Sequence, residues 1–309
     1  MLKNSLNRSL LTLHVTVLVW GFTGILGALI SIPSVQLVWY RVLIAFITLL
    51  IYFKARKTSL QVTRETFTKL FLTGAIVGAH WILFFQSIKA STVSVGLVCL
   101  SSLTLFTAIL EPLLKKKTIS AIEILTGLMI ITGIYMIFKF ETRYTIGIIC
   151  GLGAAFCGSL FSIINSKQVQ NRPAPIISFY ELIGAWVWIS IYLFSTDGFN
   201  SSMNLSTTDL IYLLILGTIC TSVAYVAGVA VMKQLSAFRV ALITNLEPLY
   251  GIALAFIFFG KKEEMTPGFY AGATIIMASI FLYPFVKNRL EKRKATRSPA
   301  DNNHEAQIH

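Results

Sequence analysis

Charge is what this sequence has least of. Asp, Glu, Lys and Arg make up 13% of its 309 residues, where a soluble globular chain carries roughly 25%. Only three aspartates occur, Asp197, Asp209 and Asp301, all in expected loops or near the C-terminus, so no aspartyl dyad can form inside an apolar run. No H-E-x-x-H pair and no phosphate-binding G-x-x-x-x-G-K-[ST] loop is present, so neither zinc proteolysis nor direct ATP hydrolysis is indicated. The four cysteines, Cys99, Cys150, Cys157 and Cys220, fall in apolar stretches without close metal-ligand spacing. They read as packing residues: no disulfide, metal or cofactor is expected. No filter-like segment of a channel appears, and the alternating pattern of a membrane barrel is missing.

What remains is apolar. Hydrophobic residues make up 55% of the chain and the mean hydropathy is +0.74, more than a water-soluble core of this size can hide. Ten runs approach or exceed the about 20 residues that span a bilayer. They are Leu10–Ile32, Val35–Phe53, Leu70–Ile88, Val93–Leu114, Ile119–Phe138, Ile146–Ile164, Ile176–Phe194, Leu210–Val231, Phe238–Phe259 and Phe269–Val286. Backbone groups in lipid must be satisfied within the segment, so continuous runs of this length predict helices. The first run is too long for a signal peptide and lacks a following cleavage site. The fold class expected is an all-α integral membrane protein of ten transmembrane helices.

A formal charge of +13 invites a nucleic-acid reading, but the distribution of the charge argues against it. With ten spans and a cytoplasmic N-terminus, twenty of the 26 basic residues lie inside: Lys3, Arg8, five from Lys54 to Lys69, Lys115 to Lys117, Lys167, Arg172, Lys233, Arg239 and six from Lys287 to Arg297. Five lie outside: Lys89, Lys139, Arg143, Lys261 and Lys262; Arg41 falls within a span. This is the positive-inside bias of a multi-pass protein of the cytoplasmic membrane with both termini inside. Residues 287–309 read as a basic, polar, disordered cytoplasmic tail.

The chain also repeats itself. Trp39-Tyr40-Arg41, with Ala45 and Tyr52, matches Phe179-Tyr180-Glu181, with Ala185 and Tyr192, at a constant offset of 140. Trp20 pairs with Phe156, and Gly127 with Gly272. Residues 10–140 and 146–286 therefore read as duplicates of five spans each. An odd number of spans inserts in opposite orientations, so the halves should relate by a two-fold axis in the membrane plane. Secondary transporters recurrently use this architecture, with the substrate site near the midplane between the repeats.

With these features the sequence resembles the drug/metabolite transporter superfamily, EamA branch. The resemblance rests on Val19-Trp20-Gly21-Phe22, Trp39-Tyr40-Arg41, Asn245-Leu246-Glu247-Pro248 and Glu263-Glu264-Met265-Thr266, and it extends to about Phe285. Leu103 stands where the family usually has a proline; Pro112 comes later. The resemblance implies ten helices in two five-helix repeats and the transport, often export, of amino acids or related metabolites.

Among candidate functional residues Glu247 stands out. It lies near the middle of its span, where an ionisable group costs about 3 kcal/mol on insertion scales and is a functional candidate by default. Pro248 lacks an N–H and frees the carbonyl of Thr244, and Thr244, Glu247 and Gly251 share a helix face. The competing reading is a structural tie to a neighbouring helix. His80, beside Trp81, can relay protons or bind a carboxylate, or be a satisfied core histidine. Polar stripes at Thr16, Trp20 and Thr23, at Ser101, Thr104 and Thr107, and at Thr218, Thr221, Ser222 and Tyr225 either line a cavity or join helices.

The cavity expected lies between spans one, three, four, six, eight and nine. Its candidate substrate-binding residues are Trp20, Thr23, His80, Trp81, Ser101, Thr104, Tyr225, Thr244, Asn245 and Glu247. Arg41 and Glu181, counterparts under the repeat and at opposite faces, are candidate gates or residues snorkelling to the interface. The function expected is secondary transport of a small metabolite, an amino acid or related compound, by alternating access and in the export direction. The partners are that substrate, membrane lipid and a coupling proton, with no nucleic acid. The alternative class is a polytopic membrane enzyme acting on a lipid-linked substrate. Nothing in the sequence fixes the oligomeric state.

Overall fold

The computed structural model describes residues 2–115 and 121–305. The start of the fifth run at Ile119, the basic residues Lys116 and Lys117 and the terminal His309 lie outside them. Among the described residues the regular structure is entirely helical. The helices are α1 (Leu2–Leu29), α2 (Ser34–Arg56), α3 (Arg64–Ala90), α4 (Val93–Leu100), α5 (Leu103–Lys115), α6 (Ala121–Phe140) and α7 (Thr145–Gln168). They continue as α8 (Ala174–Ser195), α9 (Thr207–Gly217), α10 (Ala224–Val231), α11 (Ala237–Thr244), α12 (Leu246–Phe259) and α13 (Pro267–Glu305).

Local chemistry sets the starts of these helices. The hydroxyls of Thr63, Thr92, Ser206 and Ser236 accept from the backbone N–H three residues on, satisfying a donor that a helix start leaves open. Pro33 and Pro173 stand just before α2 and α8, where a missing N–H costs nothing. Eight helical stretches are long and apolar enough to cross a membrane, and two shorter apolar helices, Ile124–Phe140 and Pro267–Tyr283, accompany them. The ten apolar runs of the sequence fall on these ten stretches. Large apolar side chains cover the outside, with Phe194 82% and Ile257 79% exposed, as a surface solvated by hydrocarbon requires. Segment 287–309, expected to be without regular structure, instead continues α13 as a helix to Glu305. The helix formers from Leu290 to Ala295 are compatible with that continuation.

Three stretches are interrupted in mid-course. Between α4 and α5 the Ser102 hydroxyl donates to the Cys99 carbonyl at 2.6 Å, the local side-chain competition that breaks helical runs. Between α9 and α10 a wide π turn covers Thr218–Val223. Between α11 and α12 the chain bends at Asn245, three residues before the Pro248 that leaves the Thr244 carbonyl without its helical donor. Spacing along the chain is regular. The starts of α2 and α8 (Ser34 and Ala174) are 140 apart, those of α3 and α9 (Arg64 and Thr207) 143, and those of α4 and α11 (Val93 and Ala237) 144; the breaks at Ser101 and Asn245 are also 144 apart.

The interior divides into two apolar clusters. The larger unites α1, α2, α3, α7, α8 and α9 through residues such as Leu37, Val77, Phe85, Ala155, Leu182 and Leu213. The smaller gathers Ile130 and Ile137 of α6 with Phe269, Ile276 and Ile280 of α13. Within it Gly133 and Gly272 meet backbone to backbone: a Cβ on Gly133 would come within 2.7 Å of the Gly272 carbonyl oxygen, and one on Gly272 within 2.6 Å of that of Gly133. Only glycine permits this approach.

Candidate functional site

The interrupted stretches meet α1, α2, α3 and α7 around one cavity. Its apolar wall includes Phe84, Leu103, Phe161, Val229 and Met232. The polar groups come from separate elements: Thr23 from α1, Arg41 from α2, His80 from α3, Ser162 from α7, Tyr225 from α10, Thr244 from α11 and Glu247 from α12.

Arg41 is 2% exposed and is held on two sides. Its Nε donates to Thr221 Oγ1 at 2.5 Å, and its guanidinium carbon lies 4.4 Å from the centre of the Trp81 ring, within cation–π range. Thr221 can take this bond because its own hydroxyl proton goes to the Leu216 carbonyl at 2.6 Å, across the π turn. Nη1 of Arg41 has no hydrogen-bond partner. Glu247, 5% exposed, faces the same cavity, and no described side chain bonds to its carboxyl group.

His80 Nδ1 lies 2.7 Å from the Ala154 carbonyl oxygen. A carbonyl only accepts, so Nδ1 carries the proton and Nε2 is the bare nitrogen. The Trp81 ring stands 5.4 Å from that of Tyr225. Behind this wall the Tyr225 hydroxyl donates to Glu181 Oε2 at 2.7 Å, and Asn165 Nδ2 donates to the same oxygen at 3.1 Å.

Seven of the residues anticipated for the cavity line it: Trp20, Thr23, His80, Trp81, Tyr225, Thr244 and Glu247. Ser101, Thr104 and Asn245 do not. Asn245 Nδ2 donates to Thr104 Oγ1 at 2.5 Å and to the Ala241 carbonyl at 2.8 Å, while the Ser101 hydroxyl bonds back to Leu97. The polarity of Thr104 and Asn245 is spent joining α5 to the α11–α12 break, and that of Ser101 on its own stretch. Arg41, anticipated near the outer mouth, lines the cavity instead, because the long arginine stem carries its charge well away from its own Cα. Glu181, its anticipated counterpart, is fully buried one layer out, behind Tyr225. The polar stripe pointed at Thr221 but not at its service to Arg41, since helical spacing does not show the wide turn. Nothing in the sequence pattern pointed to Ser162 or Phe161.

An all-helical, multi-pass membrane protein whose broken helices enclose a mixed polar and apolar cavity has the build of a transport protein. The family model of the EamA-like transporter family matches twice in succession, over residues 7–139 and 145–284. The chain belongs to the EamA-like transporter family. It is 26% identical to an uncharacterised transporter of Synechocystis sp. over 65% of this chain and 60% of that protein. It is 29% identical to a Salmonella typhimurium protein named "Probable amino-acid metabolite efflux pump" over 45% of this chain and 48% of that protein. These two matches therefore span less than two thirds of either relative. A Bacillus subtilis uncharacterised transporter, YwfM, is 23% identical over 85% of this chain and 89% of its own. One crystal structure superposes with a TM-score of 0.67 at 12% identity, covering 91% of this chain and 98% of that one; this is a likeness of fold.

Proposed function

We infer that this protein is a secondary transporter, not an enzyme. It exports a small metabolite, an amino acid or related compound, across the cytoplasmic membrane by alternating access. The observation that carries this reading is Glu247: a carboxyl group in mid-span, open to a central cavity and without a protein hydrogen bond, beside a helix break that frees a backbone carbonyl. A structural tie needs a hydrogen-bond partner, and among the described residues Glu247 has none, only the charge of Arg41 acting across the cavity. Its role is to bind the substrate's amine or to carry the coupling proton. The Salmonella relative's name is consistent with efflux of amino-acid metabolites.

Two inverted repeats would supply the two states that alternating access needs, and several contacts support that relation. Residues that are counterparts under a two-fold axis touch each other only where the axis passes. Phe46 and Trp186, 140 apart, have ring centres 5.5 Å apart; Trp81 and Tyr225, 144 apart, face each other at the cavity. In the first contact α2 and α8 run antiparallel: Phe53 meets Phe179, and Trp39 Nε1 donates to Ser190 Oγ. A two-fold axis relating antiparallel helices is perpendicular to both, and so lies in the membrane plane.

Off the axis, contacts should come in pairs, and several do. Tyr40 donates to the Met203 carbonyl in the loop after α8, and Tyr180 donates to the Leu60 carbonyl in the loop after α2. Gly74 abuts the backbone of Glu181 and Ala185, and Gly217 abuts Arg41 and Ile44. Gly133 and Gly272 touch each other, and Gly127, the counterpart of Gly272 expected from the sequence, faces Leu105.

The test is flux in vesicles of the purified protein, loaded with a labelled amino-acid mixture, with and without a proton gradient. Glu247→Gln preserves shape and removes titration. Transport lost, or made independent of pH between 5 and 8, at unchanged membrane abundance supports the reading; parental flux in the variant across that range refutes the role of the carboxyl group. Orientation is checked separately: a reporter fused after His309 should act in the cytoplasm, and one in the loop between Ser195 and Thr207 outside.

A further inference from the structure

The buried charges of this protein are not treated alike. Glu181 takes hydrogen bonds from Tyr225 and Asn165 on Oε2, and its unpartnered Oε1 belongs to a residue outside the cavity lining. Glu263 accepts from the backbone N–H groups of Val93 and Ser94, and Asp209 from Ser31 and Ser206. Arg41 differs. Its Nε is anchored and one face of its guanidinium is covered by Trp81, yet Nη1 has no acceptor. No carboxylate oxygen among the described residues comes within ion-pair distance of it. Glu247 acts on Arg41 across the cavity without touching it, so the hydrogen-bonding edge stays open; an open edge on a buried cation is costly, and here it belongs to a residue that lines a cavity.

The shape of the vacancy specifies what completes it. Guanidinium presents its donors as a flat fork, and a carboxylate offers two oxygens in the matching plane. With Nε already used by Thr221, one Nη edge remains, enough for a single carboxylate. The cavity holds one carboxyl group among the described residues, Glu247. A dianion would overload this balance, whereas a molecule with one carboxylate and one amine meets both groups. Phe84, Phe161, Val229 and Met232 supply an apolar wall for the remainder.

We propose that Arg41 is the carboxylate-binding residue of the cavity, and that the substrates are small amphipathic amino acids whose free carboxylate is required for recognition. This rests on the transport reading for its physiological meaning, but binding at Arg41 is measurable without transport.

The experiment is ligand binding to the full-length protein in lipid nanodiscs, read as thermal stabilisation and as the fitted Kd. The probes are leucine, methionine and phenylalanine, each compared with its carboxamide and with the amine lacking the carboxyl group. The parent should bind at least one acid about tenfold or more tightly than its amide and amine, about 1.4 kcal/mol of preference. In Arg41→Gln that preference should collapse to within about threefold, while affinity for the amines stays. Arg41→Lys, which keeps the charge but not the fork, should fall between.

If Arg41→Gln does not fold, Thr221→Val decides: it keeps the guanidinium but removes its anchor, and should weaken the acids several-fold without weakening the amines. Equal binding of acid and amide by the parent, a carboxylate preference undiminished in Arg41→Gln or in Thr221→Val, or no binding of any acid would each overturn the proposal. A parent that binds acids through Arg41 yet moves none of them across a vesicle membrane would sink the transport reading and leave this one standing.

Discussion

The cavity wall and the α6–α13 pair are built from the same apolar vocabulary and behave as opposites. Around the cavity three helical stretches are broken, and polar atoms such as Arg41 Nη1 are left without partners. In the α6–α13 pair each helix runs unbroken through its apolar stretch and glycines let the backbones touch. Its polar ends are fully used: Glu141 accepts from the Thr266 N–H at 2.7 Å and from Arg143 at 3.3 Å. Hydrophobicity does not separate the two regions; completeness of hydrogen bonding does. Among the described residues the α6–α13 pair leaves no fully buried polar side-chain atom without a partner, whereas at the cavity the open edge of Arg41 faces room for something the chain does not itself contain.

That contrast can be broken by experiment. The largest effect is expected at Glu247: Glu247→Gln should lower the initial transport rate by about tenfold or more, a loss of at least about 1.4 kcal/mol, with little change in thermal stability. Next comes the scaffold. Gly272→Val forces a side chain against the Gly133 carbonyl and should destabilise the fold by about 1–3 kcal/mol, as overpacking does, while the binding constant of the folded fraction stays at the parental value. A binding defect there equal to that of a cavity variant would erase the distinction between the regions.

A smaller loss, about 1–2 kcal/mol, is expected for Asn245→Ala, which removes the bond to Thr104; denaturation of the purified protein reads it. The smallest effects sharpen the repeat argument. Tyr40→Phe and Tyr180→Phe each delete one hydrogen bond to the opposite repeat's loop and should cost about 0.5–1.5 kcal/mol apiece. Unfolding midpoints that shift alike are expected; one shifting while the other does not would show that the two contacts are not equivalent.

Much of this architecture could be read from the sequence because lipid leaves few options. Apolar runs of span length must be helices, and the ten runs fall on helical stretches; the first start is ragged, α3 begins six residues before its run, α13 continues past its run, and the fifth start lies outside the described residues. Glu247, His80, Trp81 and Tyr225 were legible because an ionisable or aromatic residue in an otherwise apolar run stands out. Helical spacing fails where it must supply direction. Thr104 and Asn245 carried the same polar signal as Thr23 and Thr244, but in three dimensions the first two satisfy each other. Arg41 was found as a residue and misjudged in position, since counting along a span locates Cα and not the end of a long side chain. Equivalence by a single offset was also too simple. It holds at 140 through α2 and α8 and then grows to 143, because the loop from Thr196 to Ser206 is longer than that from Lys57 to Thr63.

A π turn holds one residue more than an α turn, and Thr218–Val223 forms one between α9 and α10. One extra residue turns everything after it by about 100° about the helix axis relative to a straight course. A cavity bounded by two faithful copies would accept a ligand and its end-for-end flipped image equally well, and half of all encounters would be indistinguishable from the other half. The inserted residue removes that degeneracy at its source. Thr221 of that turn anchors Arg41, whereas Glu181, the counterpart of Arg41, is bonded to Tyr225 behind the cavity wall, so a dipolar molecule entering the cavity meets a site with a head and a tail.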